Sequence, residues 1–213
     1  MNKSSEQAFP GHYFQRVDEG PDPWFYVQPR LLVHIDDKAI AAIGCYFGKH
    51  LPKHGVILDV MSSWRSHLPD GFPKAKLVGL GLNDVEMAEN PQLDEHVVQD
   101  VNASPTLPFA DASFDAAIII VSVQYLTKPL EVFREVCRVL KLGGTFHVVF
   151  SNRMFPTKAV AVWQMRDDHG HGELVREYFG MAGGWEGVEH VDISPNRDFS
   201  SDPVYIVRAT RVE

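Results

Sequence analysis

The sequence predicts an α/β fold: a mostly parallel sheet with helices packed on both faces. Three observations predict it. The runs Val56–Val60, Lys76–Leu80 and Phe114–Val121 are short and almost continuously apolar, as strands buried on both faces are. Segments between them carry apolar residues at spacings of three and four, the period of a helix with one face turned inward. Strand and helix signals alternate as far as residue 150, the pattern of strand–helix–strand units in a parallel sheet.

Residues 1–30 place Pro10, Gly11, Pro21, Pro23 and Pro29 among Trp24, Phe25 and Tyr26. Prolines break regular structure and aromatics demand packing. Residues 1–36 are therefore expected to form an arm docked over the ligand edge of the sheet. Asp36-Asp37 supplies an N-cap for a helix from Asp37 to His50, with Ile40, Ile43 and Phe47 on one face. Val56–Val60 is the first strand, and a loop closed by Pro69-Asp70-Gly71 leads to the second, Lys76–Leu80. Asn83 with Glu86 three residues on has the form of a capping box and starts a short helix that Asn90-Pro91 stops. His96–Gln99 is the third strand, ended by Asp100, and Phe114–Val121 the fourth. Pro129 opens a helix with Leu130, Phe133, Cys137 and Leu140 on one face and Gly143-Gly144 as its stop. Thr145–Phe150 is the fifth strand. Helices are expected over Thr157–Asp168 and Glu173–Met181, and Glu189–Ile193 pairs with Val204–Arg208 as a closing antiparallel hairpin. The whole, 1–213, is expected to be one domain.

A chain of 213 residues suffices for one well-buried core. Its 45% hydrophobic and 23% charged content is that of an ordinary globular protein. The net charge of −8 disfavours a phosphate-backbone binder, so no nucleic-acid partner is expected. Cys45 and Cys137 both sit in helical segments among apolar neighbours and are expected to be buried thiols. No run approaches the roughly 18 apolar residues of a membrane span, and the first residues lack the apolar core of a signal peptide. The expected location is the cytoplasm, without membrane attachment. Oligomeric state is not legible.

The stretch Leu58-Asp59-Val60-Met61-Ser62-Ser63-Trp64 ends a buried strand in a carboxylate and then breaks into small and polar residues. A ligand-holding turn at the end of the first strand of a Rossmann-like sheet has this form. Leu107-Pro108-Phe109 followed by Ser113-Phe114-Asp115, and Glu135-Val136-Cys137-Arg138-Val139-Leu140-Lys141-Leu142-Gly143-Gly144, resemble the "LPF-x-x-x-SFD" and "E-x-x-R-V-L-K-P-G-G" segments of class I S-adenosylmethionine-dependent methyltransferases of the type 11 kind. The resemblance covers roughly residues 55–150. It implies a seven-stranded sheet of order 3-2-1-4-5-7-6 with the seventh strand antiparallel, and S-adenosyl-L-methionine as cofactor. The turn itself resembles the "LD-x-M-S-S-W-x-S-H-L-P" turn of a subset of plant and bacterial methyltransferase-like proteins.

Two segments depart from the family. After the acid, matched by Asp59, Met61, Ser63 and Arg65 stand where it has glycines, which there allow positive φ and close backbone approach. Gly81 stands where it has a ribose-binding acid. The resemblance implies cofactor contacts from Asp59, Met61, Ser62, Ser63 and Trp64, from Gly81, Leu82 and Asn83, from Asp100, Val101 and Asn102, and from Ser122. Several have a second reading. Asn83 is a helix cap as well as a ribose donor, Asp100 a turn residue as well as an adenine acceptor, and Trp64 a loop anchor as well as a stacking platform. For the reaction, His34, Tyr125 and Asn152 are candidates, His34 as a base. Arg30 and Arg153 are candidates for holding an anionic acceptor. His169-Gly170-His171 is too sparse for a metal site and is expected in a loop between helices; no metal is expected. The function so implied is methyl transfer to a small molecule. The alternative is a methyltransferase-like binding or scaffold protein that has lost catalysis. A nicotinamide enzyme is disfavoured because no G-x-G-x-x-G occurs.

Overall fold

The computed structural model describes residues 9–195 and 200–213; the first eight residues of the expected arm lie outside them. The described arm holds a short 3-10 turn, Gly11–Phe14, and a single helical turn α1, Asp22–Phe25. The elements that follow are α2 (Asp37–His50), β1 (Val56–Val60), β2 (Lys76–Gly81), α3 (Asp84–Ala88), β3 (Glu95–Val98), β4 (Phe114–Ile120) and α4 (Pro129–Val139). β5 (Leu140–Phe150), α5 (Ala161–Gln164), α6 (Asp168–Ala182), β6 (Trp185–Asp192) and β7 (Tyr205–Arg211) complete them. The seven strands form one sheet of order β3-β2-β1-β4-β5-β7-β6. β1–β5 run parallel to one another, and β7 pairs antiparallel with β5 and β6.

Alternation along the strands divides the core into two layers. In β1, Ile57 packs with Ile43 and Phe47 of α2 on one face. Leu58 and Val60 pack on the other with Phe133 of α4 and Tyr178 and Phe179 of α6. Phe9, Tyr13 and Phe14 of the arm join that second layer, whereas Trp24, also expected to pack, is exposed. α2 starts where Asp36 Oδ1 accepts from Ala39 N, 2.9 Å, as its sequence requires.

Five expectations are corrected. Residues 140–144 belong to β5 and not to a helix end: Leu140 is extended, and residues 141–144 form an irregularity opposite Asp115 between the pairs Phe114–Leu140 and Ala116–Thr145. The helix expected over Thr157–Asp168 shrinks to α5. Val160 N donates to Gln124 O (3.0 Å) and Ala161 N to Gln15 O (2.8 Å), so backbone donors that would build a helix serve neighbours. α6 begins five residues earlier than expected, because Asp167 caps Gly170 N at 2.9 Å. His169-Gly170-His171 thus lies in its first turn rather than a loop, and Asp167-Asp168 sits at the helix start, where the dipole favours acids. Cys45 is exposed, while Cys137 is buried. No helix among the described residues is long and apolar enough to cross a membrane.

Candidate functional site

A cavity of about 390 Å³ opens at the carboxyl ends of β1–β4, where the strand order reverses between β1 and β4. Open α/β sheets place ligands there, and the volume suits a small molecule. Its floor comes from strand exits: Asp59 and Met61–Trp64 after β1, Gly81–Asn83 after β2, Asp100–Asn102 after β3, and Ser122 and Tyr125 after β4. Its roof comes from the arm, with Tyr26, Arg30 and His34, and from Arg153 and Phe155 beyond β5. Every site residue expected from the sequence lines it except Asn152. That residue is exposed and lies in a separate shallow depression beside Asp36 and Asp202.

The turn after β1 is built by hydroxyls instead of glycines. Met61 takes φ +59°, the left-handed conformation that elsewhere favours glycine. Ser62 N then donates to Leu80 O at 2.8 Å, which lays the turn across the end of β2. Asp59 Oδ2 accepts from Ser62 Oγ (2.7 Å) and Ser66 Oγ (2.6 Å). Burial pushes this carboxyl up to about 6, against which the two serines act. Asn90 Nδ2 holds the far side, donating to Ser63 O and Ser66 Oγ, both at 2.9 Å. Trp64 Nε1 donates to Leu32 O of the arm (2.9 Å), and the Arg65 guanidinium stacks 3.9 Å from the Trp64 ring centre. Trp64 is therefore a loop anchor.

The same path explains Gly81. A Cβ there would lie 2.2 Å from Ser62 O and 3.1 Å from Met87 Sδ. No side chain fits while the turn keeps this course, so the missing acid and the missing glycines are one structural change and not two.

The arm is fastened by buried charge. Lys158, 1% exposed, donates to Gly20 O (2.7 Å) and sits 3.1 Å from Asp22 Oδ1. Arg16 grips both Asp22 oxygens at 2.7 and 2.9 Å. Asn102 Nδ2 donates to Asp22 Oδ2 (2.8 Å) and Tyr125 O (2.9 Å), while its Oδ1 accepts from Thr127 N (2.8 Å). The Asn102 amide is thus engaged in docking the arm. Asn83 caps α3 through Glu86 N (3.1 Å) and donates to Tyr26 O (2.8 Å). Asp100 Oδ1 accepts from Asn102 N and Ala103 N, the bonding of an Asx turn. Glu86 does not close the capping box: its carboxylate takes Arg30 N (2.8 Å) and Ser63 Oγ (2.6 Å).

Two residues that line the cavity each carry a buried polar atom without a partner. The Arg30 guanidinium sits 4.6, 5.4 and 5.3 Å from the ring centres of Phe25, Tyr26 and Phe155; Nη2 donates to Phe25 O (2.9 Å), while buried Nη1 has no partner. Ser122 Oγ is buried without a partner just after Val121, whose φ of +49° is strained for a β-branched residue. Tyr125 Oη accepts from Phe155 N at 2.8 Å, and burial raises its pKa. His34 packs edge-on against Phe155; partial burial and the Arg30 charge lower its pKa. His67, also lining the cavity, is lowered to about 4 by burial and by Arg65.

Sequence reasoning missed Glu86, His67, Tyr26 and Phe155. Glu86 was hidden by its capping-box spacing, and Tyr26 and Phe155 lie in segments with no period to place them. For His67 a signal existed: it falls in the same turn as Met61–Trp64.

Sheet order, switch-point cavity and turn define a methyltransferase-like α/β protein. Residues 68–148 match the protein-family model described as "Methyltransferase domain". A curated relative, the biotin biosynthesis bifunctional protein BioHC of Teredinibacter turnerae, is 36% identical over 66 residues, 31% of this chain and 12% of that protein. The stretch thus spans about an eighth of the relative it matches. Among solved structures, a chain of the complex between the Haloferax volcanii Trm112 methyltransferase activator and a methyltransferase superposes with TM-score 0.62 at 18% identity, over 83% of this chain and 92% of that one. A SAM-dependent methyltransferase from Aquifex aeolicus superposes with TM-score 0.56 at 16% identity, over 90% and 97%. By fold the chain is similar to S-adenosylmethionine-dependent methyltransferases, and residues 68–148 match the methyltransferase domain.

Proposed function

We propose that the chain, acting as one domain in the cytoplasm, transfers a methyl group from S-adenosylmethionine to a small molecule bearing an anionic group. The observation that carries the reading is one cavity lined by the exits of β1–β4 and roofed by an arm that carries Arg30. The residues fit the cofactor on two counts. Met61 supplies the left-handed backbone expected of the family's glycine, and the buried Ser122 Oγ lacks a partner at the exit of β4. Met61, Ser62 and Ser63, with Leu82 and Val101, would hold it, and Asp100 would contribute its remaining oxygen. When bound, the cofactor supplies a methyl group already activated on a sulfonium.

The chain's own residues then bind, orient and exclude water. The arm covers the cavity through Tyr26 and Ile35, and a dry, fixed geometry is most of what in-line transfer requires. The Arg30 guanidinium, stacked among three rings, takes the anionic group of the acceptor, and Arg153 at the rim, whose Nε is paired with Asp202, takes a second oxygen through its remaining nitrogens. His34, its pKa lowered by burial and by the Arg30 charge, receives the proton lost by an oxygen or nitrogen nucleophile. Tyr125, its hydroxyl engaged by Phe155 N, shapes the wall.

The test is formation of S-adenosylhomocysteine from S-adenosylmethionine with a panel of small carboxylates and their methyl esters as acceptors. The reading expects turnover with acids, weakened at least tenfold by Arg30→Met through KM. Equal turnover with acids and esters would refute the acceptor assignment. A second reading, a binding module without transfer, is favoured by one observation: Ser62 O, 2.2 Å from a Cβ at Gly81, leaves no room for the ribose acid. Cofactor binding with no turnover of any acceptor would select it.

A further inference from the structure

Gly81 leaves a specific gap. The family's acid at this position holds the two ribose hydroxyls, and here Ser62 O lies 2.2 Å from where its Cβ would be. Neighbouring polar groups are engaged elsewhere: Asn83 in its cap and Tyr26 O, Asn102 in the arm. Asp59 gives Oδ2 to two serines. Glu86 differs. It lines the cavity, is 7% exposed, and bonds Ser63, the residue that follows the intruding Ser62. One carboxylate oxygen accepts from Arg30 N and the other from Ser63 Oγ. A carboxylate has about four lone-pair sites, so each oxygen keeps a site for one more donor. Two adjacent acceptor oxygens, each pinned by one bond, match a pair of vicinal hydroxyls.

Resting on the S-adenosylmethionine reading, we infer that Glu86 is the ribose-diol ligand of this chain: the acid lost from the end of β2 is supplied from α3. The two bonds that fix it also tie the diol to the arm through Arg30 N and to the turn through Ser63, so cofactor binding and arm closure share one group.

The test is calorimetric titration with S-adenosylhomocysteine and with its 2′,3′-dideoxy analogue. Hydrogen bonds to a charged group are each worth a factor of about ten or more, so the parent protein discriminates against the analogue at least tenfold. In Glu86→Gln, nearly isosteric and checked for folding by its urea midpoint, S-adenosylhomocysteine binds about 10–100-fold more weakly and the two ligands differ by under about threefold. Asn90→Ala loosens the same turn through Ser63 O and Ser66 Oγ without touching the carboxylate, and keeps the discrimination. Undiminished discrimination in Glu86→Gln overturns the inference. So does its loss in Asn90→Ala, which would reduce Glu86 to a loop support. Equal binding of both ligands by the parent overturns it while leaving the cofactor reading intact. No binding of S-adenosylhomocysteine by the folded parent overturns the cofactor reading itself.

Discussion

Restoring a side chain at Gly81 is the sharpest test of the path assigned to the turn. In Gly81→Ala the new methyl meets Ser62 O at 2.2 Å, a distance real contacts do not reach, and Ser62 C at 3.1 Å. The obstacle is backbone, so it cannot swing aside as a side-chain tip would. Relief requires the turn to lift and the Ser62 N to Leu80 O bond (2.8 Å) to break. Overpacking costs about 1–3 kcal/mol and the bond about 1 kcal/mol net, giving a loss of about 2–4 kcal/mol. For a chain of this size that lowers Tm by roughly 4–16 °C. The assay is urea unfolding of Gly81→Ala beside Gly180→Ala, the same change on α6 with no atom within 4 Å of the new carbon. The latter gains up to about 1 kcal/mol from helix propensity. A Gly81→Ala protein within about 0.5 kcal/mol of its parent would refute the crossing of β2 by the turn.

Three further outcomes are expected. Lys158→Met leaves Asp22, 4% exposed, with one cation fewer; breaking such a pair costs about 3 kcal/mol. Limited proteolysis then cuts the arm between residues 15 and 30 first, and an arm as resistant as before would contradict the latch. His147 is buried with Tyr46 Oη on Nδ1 (3.0 Å) and Thr145 Oγ1 on Nε2 (2.9 Å), and burial lowers its pKa to about 3. The unfolded chain takes up this proton near pH 6.5 and the folded one does not, so the contribution is complete above about pH 6.5 and is lost as pH falls toward 3. Asp59, raised to about 6, has the opposite sign and favours the folded state below about pH 4, losing this as pH rises through 6. Urea midpoints from pH 8 to 4.5 should fall, with a shallower slope in His147→Gln; an unchanged slope would remove His147 from the account. Finally, a thiol reagent should modify exposed Cys45 rapidly and Cys137, whose thiol burial pushes up, only on unfolding; two fast thiols would contradict the α4 packing.

The parallel core was legible because its signal is local. β1, β2 and β4 are apolar runs bounded by turn residues, and α2 carries its own cap in Asp36. The expected site positions were legible for the same reason, since strand ends mark where a sheet of this kind gathers residues. What escaped reading depends on partners distant in sequence. α5 is short because the Gln124 and Gln15 carbonyls take the N–H groups of Val160 and Ala161. Glu86 has the spacing of a capping box, but Arg30 and Ser63 draw its carboxylate into the cavity. Gly81 looked like a lost acid until the Ser62 carbonyl above it gave the reason. Cys45 sits among apolar residues in sequence, yet the helical period turns it outward.

The most direct test of the central claim is calorimetric titration of the purified chain with S-adenosylmethionine and S-adenosylhomocysteine. The account predicts one-to-one binding of both in the micromolar range, weakened when Ser63→Val crowds the turn. A folded protein that binds neither would contradict the cofactor assignment and leave only the fold.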